Sequence, residues 1–388
     1  MSVTTGLECL VQSNALEGQR VGLVANPASL HAQFTHAADL VNRARGAKLA
    51  ALFGPQHGYQ ADLQDNMIET PHARDAARNV PVYSLYSETR EPTADMLQEL
   101  DVLVVDLQDV GTRVYTFVYT MANCLRAAAR IGIPVIVCDR PNPIGGVLVQ
   151  GPVLETGCES FVGQFPIPLR HGMTIGELAR LFNDAFGLGA RLMVSPMKGW
   201  RRELFYDECG LPWVMPSPNM PTLDTAVVYP GAVLFEGTKL SEGRGTTKPF
   251  EIMGAPEIDP NRLAAELNAQ QHQGAYFRPV LFEPTFHKHA GRTCGGCQLH
   301  VTDRTQLDPV AAAVAWMVAI RAQAPDVFDW RPPPYEYEHE KMPIDILAGS
   351  PAFRRAVESG ESARSIASGW KPALSAFDRL RSDFLIYA

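Results

Sequence analysis

The sequence predicts an α/β protein: a Rossmann-like, mostly parallel sheet domain over residues 1–255, followed by a smaller α+β domain over residues 256–388. Three observations predict it. Short apolar, β-branched runs recur at residues 20–25, 48–53, 82–85, 102–105 and 133–137, each too short for a helix and suited to a strand buried on both faces. Stretches with helical apolar spacing separate most of them, the alternation that builds a doubly wound sheet. The runs end abruptly in polar residues, which sets uncommitted side chains at the carboxyl edge, where open parallel sheets bind ligands.

In chain order, Asn26, Pro27 and Ala28 turn the first strand toward a helix over residues 33–45, which Gly46 stops. The second strand ends in Gly54-Pro55-Gln56-His57-Gly58, a loop whose glycines permit tight turns and whose Gln56 and His57 sit at the edge. After the third strand come Tyr86, Glu88 and Arg90, and Pro92 and Thr93 open a helix running to Leu100. Residues 101–146 form a βαβ unit: one strand ends in Asp106, Gln108 and Asp109, a helix spans residues 115–130 before Gly132, and the next strand ends in Asp139, Arg140 and Asn142. Acids and an arginine at one sheet edge point to a polar small-molecule site. Thr174 and Glu177 make a capping box for a helix over residues 171–186, which gives Glu177 a structural role. Residues 217–231 read as an irregular crossing. Beyond a break near residues 254–260 the pattern gives a helix at 260–268, strands near 277–282 and 298–301, a helix at 309–322, and short helices to the end.

Composition excludes several function classes. A net charge of -8 gives no general affinity for nucleic acid or anionic membranes, and no apolar run is long enough to span a bilayer. The first residues lack the basic start and apolar core of a signal peptide, and five of the seven cysteines are scattered singly, so a reducing cytoplasm is expected. Neither GxGxxG nor GxxxxGK[ST] occurs, so no nucleotide cofactor is expected. Cys294 and Cys297 form one CxxC near His287, His289 and His300; a structural zinc site needs four ligands, so these read as plain thiols with no metal, and His287 and His289 as residues of a solvent-facing edge strand.

Eight blocks occur in one order: GPQHG from Gly54, SLY from Ser84, DLQDVGTRVYT from Asp106, DRPNPIGG from Asp139, GPVLE from Gly151, PIPLRHGMTIGEL from Pro166, SPNMPTLDTAVVYPG from Ser217 and FEGTKLSEGRGTTKPFE from Phe235. Together they resemble the DUF1343 family, whose characterised members are NamZ-type exo-β-N-acetylmuramidases of bacterial peptidoglycan turnover. The resemblance runs from about Gly6 to the C-terminus. It implies a Rossmann-like domain with an active-site cleft, an auxiliary C-terminal domain, and release of N-acetylmuramic acid from the non-reducing end of glycan or muropeptide fragments. One departure stands out: the family's block after the second strand usually reads PEHG, and this chain carries Gln56 in place of the glutamate.

Glycoside hydrolysis usually needs two carboxyl groups flanking the scissile bond. The candidates are Glu242, in a glycine-rich loop, Glu236, which is equally a loop partner for Lys239, and Asp106 and Asp109 at the strand end; Glu88 reads as an exposed ion pair with Arg90. For substrate, Gln56, His57, Gln108, Tyr86, Tyr115, Asn142, Asn219 and Thr246 offer polar or stacking contacts. Arg170 with His171 precedes a helix start, and Arg113, Arg140 and Arg244 are alternative clamps for the lactyl carboxylate of muramic acid. Two rivals remain. Gln56, which is neither acid nor base, supports a non-catalytic muropeptide-binding protein; the other is a hydrolase of a related acidic sugar conjugate.

Overall fold

A computed structural model describes residues 2–65 and 67–388. Its larger sheet has strands β1 (Arg20–Val24), β2 (Lys48–Gly54), β3 (Ala73–Asp75), β4 (Val80–Ser84), β5 (Val102–Val105) and β6 (Val135–Cys138), joined after the hairpin β7 (Gln150–Val153) and β8 (Pro168–Arg170) by β9 (Leu192–Ser195). The order across it is β3-β4-β2-β1-β5-β6-β9, parallel throughout except for the short edge strand β3. The chain therefore builds outward from β1 through β2 and β4, then returns to lay β5, β6 and β9 on the other side.

Two cores sandwich this sheet because successive side chains of a strand face opposite ways. Val102 and Val104 of β5 pack with the helices Gly6–Gln12 and Ala37–Arg43. Leu103 and Val105 pack with the helices Phe117–Ile131 and Ile175–Arg180. Gly132, at φ 79°, ends the first of these in a left-handed cap, and Thr174 and Glu177 complete the expected capping box.

The second sheet, order β10-β12-β11, is antiparallel: β10 (Ile252–Ala255), β11 (Ala275–Phe282) and β12 (Cys294–Val301). Its glycines answer to close backbone approach: a Cβ on Gly254 would lie 2.1 Å from the Gly295 carbonyl oxygen. The helices Pro260–Ala269 and Pro309–Gln323 pack beside it. Because β10 pairs with β12, this sheet already begins at Ile252. No described helix is long and apolar enough to cross a membrane.

Several expectations change. The irregular crossing is in large part a helix, Leu223–Ala232, capped by Thr222; Pro230 and Gly231 suggested a break, yet Gly231 lets the helix close on the Pro309 carbonyl, where a Cβ would lie 1.9 Å away. The helix expected over residues 171–186 is α-helical only to Arg180 and continues as a π-type turn. Strand β9 was not anticipated, since its half-exposed residues lack a buried run. His287 and His289 are not in an edge strand: both have positive φ, 68° and 57°, in the connection between β11 and β12.

The topological switch lies between β1 and β5, and the protein fills that crevice with its own side chains. Arg140 grips Asp106 through two bonds of 2.7 Å and donates to the Leu30 carbonyl, while the Ser29 hydroxyl bonds the Asp106 carbonyl. Both charged groups are fully buried. Removing one partner strands a charge without solvent, so Asp106→Ala is expected to lower the unfolding free energy in urea by about 3–5 kcal/mol. Glu99→Ala, which removes an exposed partner of Arg20, should leave the midpoint nearly unmoved.

Candidate active site

With the switch crevice filled, the cleft opens over the tips of β2, β4 and β5. Gln56 and His57 enter from the end of β2, and Val114–Phe117 from the approach to the helix after β5. The opposite wall comes from later chain: Ser217, Asn219, Met220, Tyr229, Glu236, Arg244, Phe250, Tyr335 and Glu336. The space between, including the mouth, is about 480 Å³.

Two carboxyl groups face this cleft, in different surroundings. Glu236 accepts 2.8 Å from the Arg244 guanidinium and 2.6 Å from the Tyr335 hydroxyl. Glu336 meets no cation within bonding distance; its carboxylate accepts 2.8 Å from the Tyr86 hydroxyl and 3.2 Å from the Gln56 amide. Thr116 donates to the Gln56 carbonyl at 2.7 Å, which fixes the amide so that its NH2 faces Glu336. Burial pushes the Glu336 carboxyl up from its ordinary 4.5 to about 7, Glu236's charge adds to the rise, and the bonds from Tyr86 and Gln56 oppose it.

A strained turn presents Glu336. Tyr335 and Glu338 exchange both backbone hydrogen bonds at 2.9 Å, leaving Glu336 and Tyr337 as the two turn residues at φ 45° and 66°. Such a two-residue hairpin turn normally takes Asn and Gly, and each non-glycine residue held there costs about 1–3 kcal/mol. Strain of this kind persists where the surroundings over-determine it, here the Tyr86 and Gln56 bonds to the Glu336 carboxyl.

The sequence candidates divide sharply. Gln56, His57, Tyr115, Asn219, Glu236 and Arg244 line the cleft. His57, at φ 69°, bonds the Leu63 carbonyl through Nδ1, and burial drops its pKa to about 4, so the ring is neutral at ordinary pH. Asn219 is tied to Gln64 by two bonds. Glu242 lies outside the lining, fully buried against Lys288 at 2.8 Å, His287 at 3.3 Å and Arg244 at 3.4 Å. Burial alone would raise its carboxyl, but the Lys288 charge, the bond from His287 and the Arg244 charge outweigh it and hold Glu242 well below the carboxylate range.

The remaining candidates serve the scaffold beneath. Asp106 and Arg140 pair with each other; Asp109 accepts from the Gly111 amide and faces the His171 ring at 3.2 Å. Gln108 donates to the Asp109 and Pro141 carbonyls, Asn142 to the Met173 carbonyl and Thr246 to the Gly243 carbonyl. Arg113 is spent on the carbonyls of Pro152, Ile167 and Leu347, and Arg170 on Gln150 and the Ile144 carbonyl. Burial pushes both of these guanidinium groups down to about 10. Lys239 pairs with Asp329 instead of Glu236, and Arg90 with Glu69 instead of Glu88. Cys294 and Cys297 are buried free thiols, and no cluster of three metal-ligating side chains occurs among the described residues.

Sequence reading missed Glu336, Tyr335, Tyr229 and Phe250. The signal for the first two was a proline run followed by an acid between tyrosines, Pro332-Pro333-Pro334-Tyr335-Glu336-Tyr337, in a region read as short helices.

The tips of a Rossmann-like sheet thus meet later chain across a cleft holding two carboxyls in unlike surroundings. The chain belongs to the exo-β-N-acetylmuramidase NamZ family: the N-terminal model of that family matches residues 21–224 and the C-terminal model residues 227–387. It is 44% identical over 387 residues to the peptidoglycan β-N-acetylmuramidase NamZ of Bacillus subtilis strain 168, covering 99% of this chain and 91% of that protein. Two crystal structures of DUF1343 family proteins from Bacteroides fragilis have similar folds. One is 34% identical with a TM-score of 0.90, the other 26% identical with a TM-score of 0.79; both cover 100% of this chain and 99% of their own.

A carboxyl whose pKa rises on folding binds more protons folded than unfolded between its two values. The stability it contributes is therefore full below 4.5 and lost as pH rises through about 7. The stability of the wild type relative to Glu336→Gln is expected to fall by on the order of 3 kcal/mol across that window, read from urea unfolding at each pH. Asp139, which burial also raises to about 7, is present in both proteins and cancels. A flat difference contradicts the assignment.

Proposed function

We propose that this chain removes N-acetylmuramic acid from the non-reducing end of peptidoglycan fragments, with Glu336 as general acid and Glu236 as its carboxylate counterpart. The observation that carries the reading is the pair of unequal carboxyls in one cleft, in a chain 44% identical to a peptidoglycan β-N-acetylmuramidase. A carboxyl that keeps its proton near neutrality can give it to the glycosidic oxygen as the C1–O bond breaks. Glu236, held by Arg244 and Tyr335, supplies negative charge to the developing cation at C1. Water then delivers its hydroxyl to C1 and returns a proton to the pair, so the net change is hydrolysis.

The same arrangement accounts for Gln56. It is an amide that orients Glu336 and adds no second negative charge beside it, so an acid at this position is not required for the chemistry drawn above. Arg244 supplies the lactyl recognition. Its Nη2 bonds Glu236, and its buried Nη1, which has no hydrogen-bond partner among the described residues, is left to meet a carboxylate on the sugar. The cleft is walled by early and late parts of the chain, so both contribute to it.

Release of N-acetylmuramic acid from a disaccharide with N-acetylglucosamine at its reducing end tests the reading. Glu336→Gln and Glu236→Gln are each expected to lower kcat by about 10²–10⁴-fold. With a nitrophenyl glycoside, whose phenolate leaves without protonation, Glu336→Gln should lose much less. Equal losses on both substrates would remove Glu336 from the acid role, and tight binding without release by the wild type would favour a binding protein.

A further inference from the structure

The turn that points Glu336 inward turns its neighbour outward. Tyr337 is 40% exposed, and the Arg90 guanidinium lies 4.2 Å from its ring centre and 4.3 Å from that of Tyr86, the residue bonded to the Glu336 carboxyl. The Tyr86 and Tyr337 rings meet edge to face at 5.8 Å. Arg90 is anchored by the Ser87 carbonyl and by Glu69, so it braces the stack while Tyr337 keeps part of its surface exposed.

We propose that Tyr337, braced by Arg90, is the platform for the leaving sugar, the residue released from C1 of N-acetylmuramic acid. This rests on the functional reading above. A general acid must contact the glycosidic oxygen, so the departing sugar lies on the solvent side of Glu336, where the next residue in the chain presents an aromatic face. Sugar rings offer apolar C–H faces that pack on aromatics, and a guanidinium on the opposite face of the ring holds it flat. The position also explains why the turn tolerates a bulky residue at φ 66°: glycine would relax the backbone but leave no platform.

Tyr337→Gly is a suitable variant because glycine fits that φ, so loss of folding does not confound it. On the N-acetylmuramyl disaccharide, KM is expected to rise roughly ten-fold, the order of one aromatic contact, and by more than kcat falls. The inhibition constant of free N-acetylmuramic acid should stay within about two-fold, since that sugar occupies the other side of the acid. Tyr337→Trp should restore KM, and Arg90→Met should raise it. An active wild type with an unchanged KM in Tyr337→Gly overturns the platform alone, as does an equal weakening of N-acetylmuramic acid. A wild type that releases no sugar overturns the functional reading and the platform with it.

Discussion

One guanidinium divides its charge between two buried carboxylates, and the cleft depends on that division. Arg244 bonds Glu236 on the cleft side and approaches Glu242 on the inner side, with its guanidinium carbon 5.1 Å from the centre of the Phe250 ring. Two acids sharing one cation so deep in the protein would be too negative to bury. The Lys288 charge closes the balance from behind, with the His287 ring beside it, both brought there by the connection between β11 and β12. Glu242 is thereby a fixed structural charge. Glu236 stays at the wall of the cleft, and Glu336, with no cation of its own, keeps its proton into the neutral range.

The second constraint is the filled switch point. In open parallel sheets the natural crevice is where the chain reverses direction from the first strand. Here the Asp106–Arg140 pair occupies it, bonded to the Leu30 carbonyl and beside the Ser29 hydroxyl. The binding space is displaced toward β2 and β4, where the sheet alone provides only Gln56, His57 and Tyr86. The two carboxyls at the cleft come from elsewhere: Glu236 from the 3-10 turn Val233–Gly237 after the helix Leu223–Ala232, and Glu336 from the hairpin turn.

Much of the sheet was legible in the sequence because parallel strands buried on both faces leave unbroken apolar runs, as β5 does. The missed strand β9 and the helix Leu223–Ala232 lacked that simplicity: one is half exposed, and the other carries Pro230 and Gly231 for packing against Pro309. The site was legible in part. Gln56, His57 and Arg244, which strand tips and a glycine-rich loop advertise, line the cleft, as does Glu236. Asp106, Arg113, Arg140 and Arg170 look the same in sequence, yet each is consumed by a buried counter-charge or by carbonyls. Nothing local separates a buried arginine that binds substrate from one that braces loops; only its partners do. Glu336 was invisible because its importance comes from a backbone that an acid and a tyrosine do not ordinarily adopt.

The bond between Gln56 and Glu336 joins positions 280 apart in the chain, and that between Tyr86 and Glu336 spans 250. Other late residues also close on the early chain: Tyr387 bonds Asp139, and Arg113 bonds the Leu347 carbonyl. A chain cut before residue 336 leaves Gln56 and Tyr86 without the carboxylate they bond. The cleft is therefore completed only when early and late parts of the chain have met, so its geometry reports on the folding of the whole described chain and not of the sheet alone.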